Sequence, residues 1–276
     1  MASSSYRLAF EDPDFLHDDD LRPVRLQLEL LKPERQLHRH HIKTTVVVFG
    51  SARVPAPEAA AAELAELERR AKSEPETENL RHALVKARKR VEYSRYYDEA
   101  RKFGRLISER FQEEHKRHFV VITGGGPGIM EAANRGAHDV GCRSVGLNIE
   151  IPHEQEPNPY ITPELCFLFH YFALRKMHFM MRARALVAFP GGFGTLDELT
   201  DALTLIQTKK IEPMPIILMN EEYWKRVIDF DFLVEEGMIA EHDAKLVTYV
   251  DRAEDAVRYI ADFYQANPER KGLPNQ

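Results

Sequence analysis

Phe119-Val-Val-Ile-Thr-Gly-Gly-Gly-Pro-Gly-Ile-Met130 reads as a strand, a turn and the start of a helix. The apolar run up to Thr123 shows no polar alternation, which suits a strand covered on both faces of a parallel sheet. The glycines and Pro127 end it, and residues 129–140 take up helical spacing. Downstream the same unit recurs. Strands are expected at 144–149, 185–189, 215–219 and 246–250, and helices at 171–184, 195–208, 223–235 and 253–265, with a proline-rich loop over 152–163. Upstream, Thr44-Thr-Val-Val-Val-Phe-Gly50 is a further buried strand. Residues 55–117, rich in Ala, Glu, Lys and Arg and broken by Pro75, read as two helices, near 58–72 and on to about 118. The second becomes amphipathic through Tyr93, Tyr97, Ala100, Phe103, Leu106 and Ile107. Strands alternating with helices predict an α/β fold: a doubly wound, mostly parallel, Rossmann-like sheet with helices on both faces.

Three segments follow. Residues 1–42 form an N-terminal arm with one short helix; residues 43–266 form the nucleotide-binding domain, with a charged helical insertion near 55–92; residues 267–276 are a frayed tail. The 276 residues carry 38 Lys and Arg against 44 Asp and Glu, a net charge of −6, which argues against a general nucleic-acid binder. No apolar run reaches the ~18 residues of a membrane span. The N-terminus lacks an apolar signal core, so a cytoplasmic protein without membrane partners is expected. Cys142 and Cys166 read as buried thiols, and His38, His40 and His41, on a polar linker, have no fixed geometry for a metal.

Three glycine-bearing turns leave the carboxyl ends of these strands: Gly50-Ser51, Gly124 to Gly128 with Gly125 and Gly126 at its centre, and Gly191-Gly192-Phe-Gly194. Backbone N–H groups there approach a phosphate without a Cβ in the way, and the following helix adds unpaired N–H groups and its positive dipole end. Three on one sheet edge would build a shared pocket. The triphosphatase loop motif is absent, and the glycines do not follow the dinucleotide pattern. In Pro190-Gly-Gly-Phe-Gly-Thr-Leu-Asp-Glu198, Thr195 opens a helix and Glu198 follows three residues later. On spacing alone this is equally a capping box or a carboxylate held beside a ligand. Arg175 and Lys176, near the start of a largely apolar helix, either reach the same pocket, or extend to solvent or pair with acids elsewhere.

Gly124-Gly-Gly-Pro-Gly-Ile-Met-Glu131, Arg175-Lys176 and Pro190 to Glu198 closely resemble the LOG (lonely guy) family, and the resemblance runs over residues 44–265. Its members are nucleoside 5′-monophosphate phosphoribohydrolases, including cytokinin-activating enzymes, and are often labelled lysine decarboxylases. The arm, the insertion and the stretch 145–158 look like the longer bacterial branch. The resemblance implies catalytic roles for Arg175 and Glu198, a phosphate loop over Gly191 to Thr195, and substrate contacts from Lys176 and Thr204. It implies hydrolysis of a nucleoside monophosphate such as AMP to free base and ribose 5-phosphate, with no metal or other cofactor. A homo-oligomer, dimer or higher, is expected, with the helix at 171–184 as a contact. The rival readings are a nucleotide sensor or carrier without turnover and, less well supported by the glycine loops, a lysine decarboxylase.

Overall fold

Every residue of β1 (Thr45–Phe49) is buried, as in a strand covered on both faces. The computed structural model describes residues 4–73, 75, 77–114, 116–151 and 156–270. Residues 152–155 of the expected loop and 271–276 of the expected tail lie outside the described residues, and Pro268–Arg270 forms a single 3₁₀ turn.

Before β1 come α1 (Pro13–His17) and α2 (Arg22–Arg39). After it follow α3 (Pro57–Ser73), α4 (Glu78–Phe111), a hairpin of β2 (Gln112–Glu113) and β3 (Lys116–Arg117), then β4 (Val120–Thr123), α5 (Ile129–Asp139) and β5 (Ser144–Ile149). The second half runs β6 (Cys166–Phe169), α6 (Phe172–Met181), β7 (Ala183–Ala188), α7 (Phe193–Gln207), β8 (Ile216–Met219), α8 (Glu221–Val227), α9 (Phe230–Glu235), α10 (Glu241–Ala244), β9 (Val247–Val250) and α11 (Ala253–Ala266).

The main sheet has seven strands in the order β6-β5-β4-β1-β7-β8-β9, all pairs parallel. The chain therefore starts at the centre, builds outward to β6, then crosses back to lay β7 on the other side of β1. That reversal opens a crevice between the loops leaving β1 and β7, the place where ligands bind in such sheets. One face is covered by α4, α5 and α11 through Tyr97, Phe103, Ile129 and Ile260; the other by α2, α6, α7 and α8 through Leu37, Phe179, Leu199 and Trp224.

Five expectations need correction. The arm carries an 18-residue helix rather than one short one, and its Leu37 and the following Ile42 enter the core. The helix expected to reach 118 stops at Phe111, because Gln112 turns extended and its side chain pairs with Arg143 across to the start of β5. β6 was absent from the expected strands: four residues at a sheet edge, directly before a helix, leave no periodicity to read. The helix expected at 223–235 is two, since Ile228 is extended and Asp229 caps a new start. Cys142 and Cys166 are half-buried rather than buried. No helix among the described residues is long and apolar enough to cross a membrane.

Within the insertion, the charged helices α3 and α4 are tied to each other by ion pairs. Arg90 reaches Glu63 at 2.5 Å and Arg88 reaches Glu68 at 3.8 Å between α4 and α3. The rest of α4 lies so close to α5 that a Cβ at Gly136 would sit 1.9 Å from the Arg101 carbonyl oxygen. Backbone on both sides prevents relief by a rotamer change. Gly136→Ala is therefore expected to cost about 2–3 kcal/mol, as overpacking at a rigid contact does, read as a lower urea midpoint at unchanged slope.

Candidate active site

The loops after β1 and β7 are joined directly: Ser51 N–H donates to the Pro190 carbonyl at 3.0 Å, and Phe189 N–H to the Phe49 carbonyl at 2.8 Å. Between and above them opens a cleft of about 730 Å³, in the size range of small-molecule sites. Gly50, Ser51, Gly191, Gly192, Gly194, Thr195, Arg175 and Glu198 all line it. Eight of the residues expected from the sequence thus come together.

The loop after β7 delivers the N-terminus of α7. The helix begins at Phe193 with Gly192 as N-cap and no side-chain cap; Thr195 and Leu196 N–H both donate to the Gly192 carbonyl at 3.0 Å, which leaves the N–H groups of Phe193 and Gly194 at the cleft wall without an intrahelical acceptor. Thr195 is the third helical residue, not the cap. That geometry removes the capping-box reading of Thr195 and Glu198, which requires the threonine at the cap. Tyr223 on α8 steadies the loop by donating its hydroxyl to the Gly191 carbonyl at 2.6 Å.

Glu198 is 4% exposed, and its Oε2 has no hydrogen-bond partner. Burial pushes its carboxyl up to about 7, against the pull of the Arg175 and Lys176 charges; Asp197 and Asp201 add to the rise. Arg175 is half-buried on α6. Its Nε donates to the Leu147 carbonyl at 2.8 Å, and its guanidinium lies 5.3 Å from the centre of the Phe179 ring. Burial lowers its pKa while Glu198 and Asp197 oppose that. Gly124 makes room for it: a Cβ there would lie 2.7 Å from Arg175 Nη2.

Four expected contacts lie elsewhere. Gly125 and Gly126 turn their carbonyls to the Asn158 amide, both at 3.1 Å, and are absent from the cleft lining. The loop after β4 is one strand away from the crossover, and the leading N–H of α5, at Ile129, is already given to the Ser51 carbonyl at 3.2 Å. Lys176 is not part of the cleft lining; its ammonium meets Asp197 at 3.0 Å and Asp201 at 3.9 Å on α7. Burial works against its charge, but those carboxylates hold its pKa above the ordinary value. Thr204 is exposed, with its hydroxyl bonded to the Thr200 carbonyl.

Sequence reasoning passed over Arg53, Met130, Phe172, Phe193 and Tyr223, which also line the cleft. Arg53 had a readable signal, as the first cation after the strand ending in Gly50-Ser51. Tyr223 had none, because α8 reaches the loop only through sheet order. Among the described residues, no group of three His, Cys, Asp or Glu is arranged to hold a metal ion.

A family model described as "Possible lysine decarboxylase" matches residues 130–260. The chain is 29% identical over 149 residues to cytokinin riboside 5′-monophosphate phosphoribohydrolase LOG4 of Arabidopsis thaliana, covering 52% of this chain and 67% of that one. To the LOG enzyme of the same description from Oryza sativa subsp. japonica it is 28% identical over 172 residues, 61% of this chain and 67% of that one. With LOG1 of Arabidopsis thaliana, also a cytokinin riboside 5′-monophosphate phosphoribohydrolase, identity is 30% over 149 residues, 52% of this chain and 68% of the relative. The chain belongs to the LOG family. The X-ray structure of TM1055 overlaps 79% of this LOG-family chain and 99% of its own, at a TM-score of 0.47 and 19% identity.

The raised carboxyl has a cost that pH reveals. Between the ordinary 4.5 and about 7, the unfolded chain ionises Glu198 while the folded one holds it protonated, so stability falls as pH rises through that window. Glu198→Gln removes the penalty. The variant is expected to match the parent near pH 4.5 and to exceed it at pH 8 by on the order of 3 kcal/mol in urea denaturation.

Proposed function

We propose that this LOG-family chain hydrolyses the N-glycosidic bond of a nucleoside 5′-monophosphate, AMP or a cytokinin riboside monophosphate, to free base and ribose 5-phosphate. The observation that carries this is the pairing of a helix N-terminus whose Phe193 and Gly194 N–H groups have no intrahelical acceptor with a buried Glu198 in the same cleft. The helix end suits a dianionic phosphate, through its N–H groups and its dipole. Glu198 lies one turn farther along α7, a spacing that suits the sugar attached to that phosphate.

Cleaving the bond from C1′ to the base nitrogen leaves positive charge on the ribose. The ionised form of Glu198 stabilises that charge and takes a proton from the attacking water; the water oxygen bonds to C1′, the bond electrons leave with the base, and the base gains a proton from solvent, to which Glu198 returns its own. A carboxyl near 7 is matched to such proton transfer at neutral pH, since both forms are populated. Arg175 faces Glu198 across the cleft and either stabilises the departing base or aligns the substrate. Phosphate binding supplies energy remote from the bond broken. Gly50, Ser51, Gly191, Gly192, Gly194 and Thr195 serve as substrate contacts in this reading, and no cofactor takes part in these steps.

A homo-oligomer, dimer or higher, acting in the cytoplasm on a free mononucleotide, completes the proposal. Leu168, Phe172 and Met177 expose apolar surface at β6 and α6, the helix expected to meet a second copy. Light scattering at working concentration is expected to give at least twice the 31.9 kDa chain mass; a monomer overturns that part.

The test is incubation with a panel of nucleoside 5′-monophosphates, with released bases identified by chromatography. Glu198→Gln is expected to fold, to bind AMP, and to lose base release by about 10²–10⁴-fold. Near-parental turnover by that variant removes Glu198 from the chemistry. Tight binding with no base released from any monophosphate by the parent favours the nucleotide sensor instead.

A further inference from the structure

α6 carries Arg175, and both of its ends are held from outside by one element of the arm. At its N-terminus, where Tyr171 is an N-cap without a side-chain cap, the N–H groups of His170 and Tyr171 donate to the two carboxylate oxygens of Glu29 at 2.5 and 3.2 Å. A carboxylate at that position also meets the positive end of the helix dipole. At its C-terminus, the C-cap residue Arg182 forks its guanidinium onto both oxygens of Glu34, one bond at 2.8 Å, and buried His178 brings Nδ1 to 3.5 Å of the same carboxylate. Burial acts to raise the Glu34 carboxyl, yet the contacts with His178 and Arg182 outweigh it and hold the pKa at about 2. Both carboxylates project from α2, which Leu37 anchors in the core.

We propose that Glu29 and Glu34 are positioning residues for the active site, through which the N-terminal arm fixes α6 and hence the Arg175 guanidinium opposite Glu198. This rests on the catalytic reading of Arg175 and Glu198. Between the two clamps, Arg175 is tied by its Nε–H to the Leu147 carbonyl, a bond that a shift of α6 breaks. Misplacement of about 1 Å in a catalytic group is enough to cost ~10²-fold in rate. The electrostatics follow the same path. Arg175 and Lys176 on α6 lower the Glu198 pKa, while Asp197 and Asp201 on its own helix raise it; Arg53 after β1 and Tyr223 on α8 face the same cleft. Moving α6 changes both the burial that raises the Glu198 pKa and the Arg175 and Lys176 charges that lower it, so its titration shifts from the parental position. The phosphate loop of α7 has no contact with Glu29 or Glu34 in this scheme and keeps its ligand.

The test uses the full chain with Glu29→Ala, Glu34→Ala and both together, with Glu29→Gln and Glu34→Gln as conservative partners. Three readouts are taken: ribose 5-phosphate affinity, kcat and its pH profile with AMP, and exchange of the Arg175 Nε–H by NMR, assigned with Arg175→Lys. The double alanine variant is expected to bind ribose 5-phosphate within about twofold of the parent. Its kcat falls at least tenfold, the limb of the pH profile belonging to Glu198 shifts from the parental position, and the Nε–H exchanges faster. The glutamine variants recover part of each change. Parental kcat, pH limb and Nε–H exchange in the double variant overturn the proposal. If Glu34→Ala fails to fold, Glu29→Ala alone carries the same readouts. Should the parent release no base from any monophosphate, the proposed function falls, and Nε–H exchange alone then decides the positioning role.

Discussion

Taking a carboxylate out of water without a partner for one of its oxygens is costly, and Glu198 is such a group. It sits one turn into α7, where the helix dipole favours negative charge, and facing a guanidinium that does the same. Even so its proton leaves only near neutrality. The neighbouring carboxylates of Asp197 and Asp201 explain part of this, and both are neutralised on their outer side by Lys176. Lys176, expected to touch a ligand, is thereby better understood as the group that lets three acids share one helical segment.

The position of that carboxylate follows from the order of strands. Because β7 crosses back to lie beside β1, the loops leaving these two strands meet, and their backbone hydrogen bonds make one rim of two distant segments. The loop after β4 has the richest glycine run in the chain but lies beyond the crossover. Its glycines serve neighbours: Asn158 binds two of their carbonyls, and Gly124 leaves space for Arg175. Similar local sequence thus lines the cleft in one loop and serves packing in another, according to which strand it leaves.

The arm belongs to the same arrangement. α2 is amphipathic, buries Leu37 against the sheet, and spends two acids on the ends of α6. Relations with the LOG enzymes cover 52–61% of the chain, and the family model begins at residue 130. α2, whose Glu29 and Glu34 meet the two ends of α6, lies outside that model's span.

The strands were legible because residues such as Val46 to Val48, Val121 and Val187 are apolar without interruption, and only a doubly covered sheet buries such runs. The segment 190–198 was legible as a ligand loop, yet its spacing fitted a helix cap equally well. The start of α7 at Phe193 decided between them, since a threonine in third position cannot cap. What the sequence left undetermined depended on contacts between distant residues: Glu29 with His170, Glu34 with Arg182, Tyr223 with Gly191, and the short edge strand at 166–169. Local periodicity reports which face of an element is apolar. Which polar groups meet across elements is set by strand order and helix docking, and that is why the sequence by itself determined the layers and the glycine-bearing loops, while the tertiary structure decided the cleft, the burial of Glu198 and the contacts of the arm.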